Sequence, residues 1–114
     1  VLAHGPAVLD RTFAVPAALV PWSPVTEGQA GRAMTGAALL AAMLEASDNT
    51  ATNLLLDAVG GPAALTAWLN DGTTRLDRPE PALNEARPGD PRDTTTPRAM
   101  AALLERLALR EPFG

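Results

Sequence analysis

Two short polar stretches of this chain hold residue types that can take part in acid–base chemistry. One is Ser47-Asp48-Asn49, between two apolar segments, and the other contains Glu80 with Asn84 four residues later. A glutamate acts as a general base when it is held within hydrogen-bond reach of the group whose proton it removes. If the stretch contains one helical turn, Asn84 shares a face with Glu80. A structural interpretation stays open, because Ser-Asp-Asn before an apolar run is also an N-cap signature and most glutamates in polar loops are simply solvated.

The composition argues against other kinds of catalytic site. The chain has no cysteine, one histidine (His4), two serines (Ser23 and Ser47) and nine basic residues that are all arginine. Without cysteine there is neither a disulfide nor thiolate chemistry, and the histidines are too few for a metal site. A serine–histidine triad needs His4, four residues from the start of the chain, so we do not expect one.

Length, charge and hydropathy narrow the class of protein. The 114 residues make one domain at most, large enough to bury about two thirds of its unfolded surface. A hydrophobic content of 46% and a mean hydropathy of +0.03 are typical of a soluble globular chain. The net charge of −4 gives no reason to expect nucleic-acid binding. We expect no membrane span, since no apolar run reaches about 18 residues, nor do we expect a signal peptide at the start of the chain.

The stretch that contains Glu80 is predicted to be a long loop. Prolines remove backbone donors and fix φ, so neither a helix nor a central strand runs through it; they are Pro79, Pro81, Pro88, Pro91 and Pro97. Irregular connections of this length are usually functional or disordered. The ordered version is an Ω-loop over the 16 residues 78–93, with Arg78 and Asp93 closing its neck as a charge-assisted pair. A mobile linker with incidental charges is the alternative.

Apolar periodicity predicts four or five helices around these polar stretches. The first full helix is capped by Thr35 and runs to about Ala46, and since it is apolar on all sides we expect it to be buried within a bundle. The helix after Ser-Asp-Asn has one apolar face, made of Ala51, Leu54, Leu55, Ala58 and Val59. Gly60-Gly61 ends this helix and Pro62 starts the next.

A last helix follows the loop, with Thr96 as its cap and Pro97 at its first position. Arg106 and Arg110 lie near its C-terminus, where the helix dipole favours cations. Its apolar stripe is Met100, Leu103, Leu104 and Leu107. The sequence shows no persuasive strand pattern beyond a short β-like run at residues 12–15, and residues 5–27 are expected to be mostly irregular. The predicted fold class is therefore mainly α.

Taken together, these pieces resemble the class A serine β-lactamases. The resemblance rests on Ser47-Asp48-Asn49, on the loop with Arg78, Glu80-Pro81, Leu83-Asn84 and Arg92-Asp93-Thr94-Thr95, on Trp22-Ser23-Pro24-Val25-Thr26-Glu27, on Asn53-Leu54-Leu55-Leu56, on Gly60-Gly61-Pro62 and on Thr74-Arg75-Leu76-Asp77. It implies an incomplete helical domain of the serine β-lactamase/D,D-peptidase fold, partial over residues 1–114, with a 16-residue Ω-loop. The family's Ser-x-x-Lys and Lys-Thr-Gly motifs cannot be present in a chain without lysine. Residues 1–3 resemble the last turn of the helix that carries the nucleophile.

The resemblance also implies roles for the polar residues. Glu80 then activates the water that cleaves the acyl-enzyme, and Ser47 passes a proton toward the leaving lactam nitrogen. Asn49 offers its amide to the acylamino side chain of the substrate, and Trp22 is an aromatic gatekeeper at the rim of the cleft. Asn84, which shares the water with Glu80, completes the expected substrate-binding set.

Five further residues are expected to support the site. Asp48 anchors its turn, and Asn53 supports the backbone of the loop near Glu80. Arg78 and Asp93 close the neck, and Pro81 follows a cis peptide bond, because the chain must reverse sharply at Glu80.

The resemblance implies a β-lactam as substrate, no metal and no cofactor. It also implies a periplasmic or secreted parent protein, which we expect to be a monomer when full length, and an isolated chain that is inactive. The alternatives are a D,D-peptidase-like penicillin-binding relative and a non-catalytic helical module that binds a partner through its acidic loop.

Overall fold

The helices that periodicity predicts form the frame of the fold. The computed structural model describes residues 5–109; the expectations for residues 1–3, His4 and Arg110 lie outside them. In chain order the elements are α1 (Ala7–Asp10), β1 (Thr12–Ala14), β2 (Ala33–Thr35), α2 (Gly36–Ala46), α3 (Asn49–Ala58), α4 (Gly61–Leu69) and α5 (Pro97–Leu109), with 3₁₀ turns at Thr26–Gln29 and Ala82–Asn84. The prediction of a mainly α fold is confirmed.

The structure contains a strand pair of which the sequence pattern indicated only one member, the β-like run at residues 12–15. β1 and β2 form an antiparallel pair in which Phe13 lies opposite Met34, and backbone hydrogen bonds between Val15 and its partners Gly31 and Arg32 extend it. Strands of three residues are too short to show the apolar alternation that marks a longer strand. The Phe13 ring of β1 is buried against the helices. This packing, and not the intrinsic preference of three residues for an extended conformation, stabilises the pair.

The core lies where α2 and α3 pack together, covered by α1 and β1. It is made of Val8, Phe13, Leu39, Ala42, Ala51 and Leu55. A glycine permits the close approach of α2 to α1, since a Cβ at Gly36 would lie 2.0 Å from the Val8 carbonyl oxygen. Gly36 also donates its N–H to the Arg11 carbonyl at 2.8 Å. This packing fixes the direction of α2 and so the position of its C-terminus, where Ser47 lies.

The prediction that α2 is buried within a bundle was wrong for the residues that the structure describes. Leu39 and Ala42 are buried, whereas Leu44 is 70% exposed. The reason is that α1, the strand pair and α3 together cover only one side of the helix. The apolar stripe of α5 is similarly uncovered, with Leu104 57% exposed and Met100 37% exposed. Within residues 5–109, no helix combines the length and apolar character needed to cross a bilayer.

Candidate active site

The Ser47-Asp48-Asn49 stretch is the tight turn between α2 and α3. Ser47 ends α2 with a left-handed φ of 54°, and its side chain is exposed. Asp48 is the N-cap of α3, since its carboxylate accepts from the Ala51 N–H at 2.9 Å. The interpretation of Ser47 as the cap is therefore corrected: the chain reverses at Ser47, and the extended conformation that a cap needs occurs one residue later. The Ser47 hydroxyl is left at the surface of the turn.

The Asp48 carboxylate holds a second segment of the chain against this turn. It is fully buried, and its Oδ2 atom accepts from the backbone N–H groups of Val25 and Thr26, both at 2.9 Å. The Thr26 hydroxyl donates to Oδ1 at 2.9 Å. Burial would raise the pKa of Asp48, but the hydrogen bonds from Ala51, Thr26 and Val25 outweigh it and lower the pKa below its ordinary value. A buried, ionised carboxylate thus ties residues 25–26 to the start of α3.

A hydroxyl pair reinforces this tie. Ser23 Oγ lies 2.7 Å from Thr50 Oγ1 and donates to the Val20 carbonyl at 2.9 Å, so the Thr50 hydroxyl donates within the pair. Thr50 Oγ1 in turn accepts from the Val20 N–H at 3.3 Å. No role was predicted for Thr50 from the sequence, and the only available signal was its position directly after Ser-Asp-Asn.

Trp22 is brought beside the Ser-Asp-Asn turn, with 66% of its surface exposed. Its backbone has a left-handed φ of 60°, and its indole Nε1–H donates to the Ala46 carbonyl at 3.2 Å. Asn49 donates its backbone N–H to the Trp22 carbonyl at 2.9 Å and its side-chain Nδ2 to the Pro21 carbonyl at 2.9 Å. An amide nitrogen carries two hydrogens, so Asn49 has one to offer a ligand beside the aromatic ring and the Ser47 hydroxyl.

The neck of the long loop is closed by Arg78 and Asp93. Arg78 Nε lies 2.7 Å from Asp93 Oδ2, and the two side chains are only 14% and 3% exposed. Asp93 Oδ1 accepts from the N–H groups of Asp77 and Arg78 at 2.6 and 3.0 Å, and Asp77 Oδ2 accepts from the Asp93 N–H at 2.9 Å. Arg78 also pairs with Glu85 at 2.7 Å. The loop is thus an ordered Ω-loop, and the mobile-linker alternative does not describe it.

The carboxylates of the neck keep their charge in the folded chain. Hydrogen bonds from the Arg75 side chain and the Asp93 backbone lower the pKa of Asp77 to about 2. Burial would raise the pKa of Asp93, but hydrogen bonds from Asp77 and Arg78 lower it overall. Because an unfolded aspartate titrates near pH 4, the neck contributes stability that is fully present above that pH. This stability is lost as the pH falls through the lowered values of the folded state.

Glu80 is held by side chains on both sides. Asn53, on α3, accepts from the Glu80 N–H at 2.8 Å and donates to the Glu80 carbonyl at 2.9 Å. The Glu80–Pro81 peptide is cis, as the resemblance implies, and the following 3₁₀ turn brings the Asn84 amide to 2.6 Å from Glu80 Oε2. Asn53 lies one helical turn after Asn49, about 6 Å along the helix. The backbone of Glu80 is therefore attached to α3 one turn beyond the Ser-Asp-Asn motif.

Two absences bound the chemistry of the described residues. In residues 5–109, no group of three histidine, cysteine, aspartate or glutamate side chains is arranged to hold a metal ion. Over the same part of the chain, neither serine is hydrogen-bonded to a carboxylate or a basic side chain, since Ser23 contacts Thr50 and Val20 and Ser47 lies exposed on its turn. These residues thus offer a base for water and polar groups for a ligand, without an activated nucleophile.

Replacing Asp93 by alanine is expected to open the loop, because it leaves two backbone N–H groups without their acceptor and the Arg78 guanidinium with Glu85 alone. The expected loss in free energy of unfolding is about 3–5 kcal/mol, the range for breaking a buried ion pair. Arg78→Ala is expected to destabilise in the same direction, and the double variant to cost less than the sum of the two. Denaturant unfolding of the full-length protein measures this cycle.

The control is Arg87→Ala, because Arg87 is a loop arginine with a side chain 74% exposed and its loss should leave stability unchanged. Strict additivity of Arg78→Ala and Asp93→Ala would mean that the two side chains do not interact in solution.

Comparisons with known proteins identify relatives of this chain. A model of the β-lactamase enzyme family matches residues 2–112. The chain is 50% identical over 111 residues to β-lactamase OXY-2 of Klebsiella oxytoca, which covers 94% of this chain and 38% of that protein. It is 52% identical over 110 residues to β-lactamase L2 of Stenotrophomonas maltophilia, covering 93% and 36% respectively. The structure of an ancestral class A β-lactamase superposes with a TM-score of 0.88 at 58% identity, over 93% of this chain and 42% of that one. The chain thus spans about two fifths of the length of these relatives.

Proposed function

The chain belongs to the class A serine β-lactamases, and from this membership we propose that the protein carrying it hydrolyses the amide bond of a β-lactam ring. In the proposed reaction a serine outside these 114 residues opens the ring and forms an acyl-enzyme. Glu80 then activates the water that cleaves the ester. The protein needs no metal or cofactor for these steps.

The observation that carries the proposal is the way Glu80 is held. Both backbone polar groups of Glu80 are hydrogen-bonded to Asn53, and its carboxylate accepts from Asn84. A general base must be positioned before its pKa matters, because proton transfer needs hydrogen-bond reach. A non-catalytic loop glutamate has no need of three such contacts. Neither of the alternatives, a D,D-peptidase-like relative or a non-catalytic binding module, explains why Glu80 is held by these three hydrogen bonds.

In the proposed deacylation, Glu80 removes a proton from the water as the water oxygen bonds to the acyl carbon. The bond between that carbon and the serine oxygen then breaks, and the serine oxygen takes up the proton that Glu80 removed from the water. Asn84, hydrogen-bonded to Glu80 Oε2, holds the carboxylate in orientation and contacts the same water. Glu80 and the family's lysine are the two candidates for the base of the acylation step, so we assign Glu80 to deacylation alone.

The Ser-Asp-Asn turn and Trp22 act on the substrate in this proposal. Ser47, exposed on its turn, transfers a proton to the lactam nitrogen as the ring opens. Asn49 donates its second amide hydrogen to the acylamino side chain of the substrate, and the exposed Trp22 ring packs against the apolar part of the ligand. Asp48 holds these three residues in register through the segment 20–26. We further propose a monomeric, periplasmic or secreted enzyme.

We expect the isolated 114-residue chain not to hydrolyse β-lactams, because it has no lysine and neither serine is followed by the Ser-x-x-Lys pattern. A full-length protein that adds this motif is expected to turn over a chromogenic cephalosporin. The absorbance change of the cephalosporin measures both proteins, and a mock purification controls for contaminating enzyme. Turnover by the isolated chain well above the mock preparation would show that the missing motifs are not needed.

A further inference from the structure

In segment 75–80, which leads into the loop and ends at Glu80, every backbone N–H donates a hydrogen bond. The donors and acceptors are Arg75 N to the Thr94 carbonyl, Leu76 N to Thr66 Oγ1, Asp77 N and Arg78 N to Asp93 Oδ1, and Glu80 N to Asn53 Oδ1. Pro79 has no donor. Every backbone donor of segment 75–80 is therefore paired. The rigidity of Glu80 depends on the elements that supply the acceptors.

These acceptors fall into two groups. Asp93 and Thr94 lie at the other end of the same loop, so they move with the segment that they contact. Thr66 lies on α4 and Asn53 on α3, and these helices pack against each other. By these backbone hydrogen bonds, Leu76 and Glu80 are the two points at which segment 75–80 is attached to the helices.

The Thr66 hydroxyl contacts Leu76 in the same way that Asn53 contacts Glu80. It accepts from the Leu76 N–H at 2.9 Å and donates to the Leu76 carbonyl at 3.0 Å. A hydroxyl has a single hydrogen, and helical threonines commonly donate it to the carbonyl four residues earlier. Thr52 of α3 does so, donating to the Asp48 carbonyl at 2.9 Å, whereas Thr66 donates its hydrogen to the loop.

We propose that Thr66 is a positioning residue for Glu80, on the premise that Glu80 activates the deacylating water. A segment attached only at Asn53 can pivot about that point. A second attachment four residues away, about 13 Å along an extended chain, fixes its direction as well. Thr66 lies away from the reacting atoms and acts on the orientation of the Glu80 carboxylate. Since a displacement of about 1 Å costs about 10²-fold in rate, loss of the hydroxyl slows deacylation.

The test uses Thr66→Val in the full-length enzyme, because valine keeps the shape and removes both hydrogen bonds. We expect kcat to fall by about 10–100-fold, with KM falling in step as deacylation becomes rate-limiting. The acyl-enzyme should accumulate and be visible by intact-protein mass spectrometry. Thr66→Ser keeps the hydroxyl and should retain the wild-type kcat. Thr52→Val is the matched control, since it removes a hydroxyl of similar exposure that bonds only within its own helix.

A second variant, Thr66→Ala, leaves room for a water beside Leu76 and is measured if the valine variant does not fold. A merely structural role would lower kcat and kcat/KM in equal proportion without acyl-enzyme, and this result overturns the proposal. Wild-type turnover by Thr66→Val, or by Thr66→Ala where the valine variant does not fold, overturns it as well. Glu80→Gln is measured in parallel. If it traps no acyl-enzyme, the proposed role of Glu80 fails instead.

Discussion

Replacing Glu80 by glutamine in the full-length protein is expected to lower the rate of deacylation by about 10²–10⁴-fold, the usual contribution of a positioned general base. Glutamine keeps the size of the side chain, and its amide oxygen can still accept from Asn84, which contacts Glu80 Oε2 at 2.6 Å in the native chain. It cannot accept a proton from water. Stopped-flow absorbance with a chromogenic cephalosporin should show one rapid turnover per enzyme followed by a slow steady state.

The control for this variant is Glu45→Gln, which removes the charge of an exposed glutamate on α2, two residues before Ser47. It should leave the steady-state rate unchanged. If Glu80→Gln turns over at the wild-type rate, Glu80 is not the base that activates the deacylating water. A folded variant that shows no first turnover would mean that acylation also needs Glu80, which contradicts its assignment to deacylation alone.

The largest expected loss of stability follows from Asp48→Ala. The fully buried carboxylate accepts from three backbone N–H groups, those of Val25, Thr26 and Ala51, and each buried donor left unpaired costs about 1–3 kcal/mol. The free energy of unfolding should therefore fall by at least about 3 kcal/mol. Asn49 and Trp22 should also lose their register, because the segment 20–26 is no longer held to the start of α3.

Denaturant unfolding of the full-length protein measures this loss, with Asp57→Ala as the control because Asp57 is exposed on the same helix. Asp48→Asn should not restore stability. Its amide nitrogen replaces one carboxylate oxygen and places two N–H hydrogens against backbone N–H groups, which are themselves donors. A loss below about 1 kcal/mol for Asp48→Ala would mean that water satisfies these backbone groups at little cost.

Those parts of the site that depend on local spacing could be predicted from the sequence. The single apolar face of α3 follows from a period of 3.6 residues, and the proline-rich loop with charges at both ends predicts a closed neck. The pairing of Arg78 with Asp93 and the contact of Asn53 with Glu80 join residues 15 and 27 positions apart. The first is suggested by opposite charges, whereas the second was available only through the resemblance to a family.

The remaining features depend on tertiary packing that no local pattern records. β2 forms because β1 is present beside it, and the exposed Leu44 side of α2 depends on what its neighbours cover. The identity of the N-cap depends on which residue reverses the chain, and φ of Ser47 decides this in favour of Asp48. Thr66 looks like an ordinary helical threonine until the loop lies across α4. Hydroxyl groups that bind a distant backbone leave no periodic signal.

The most direct test of the role of Glu80 is the intact mass of the full-length enzyme during reaction with a penicillin. Opening the lactam ring releases no leaving group, so the acyl-enzyme is heavier by the mass of the whole penicillin. We predict that this species is transient in the wild-type enzyme and persists in Glu80→Gln after the wild-type signal has disappeared. No covalent species in either protein, or one that decays at the same rate in both, would contradict the assignment of Glu80 as the base that cleaves the acyl-enzyme.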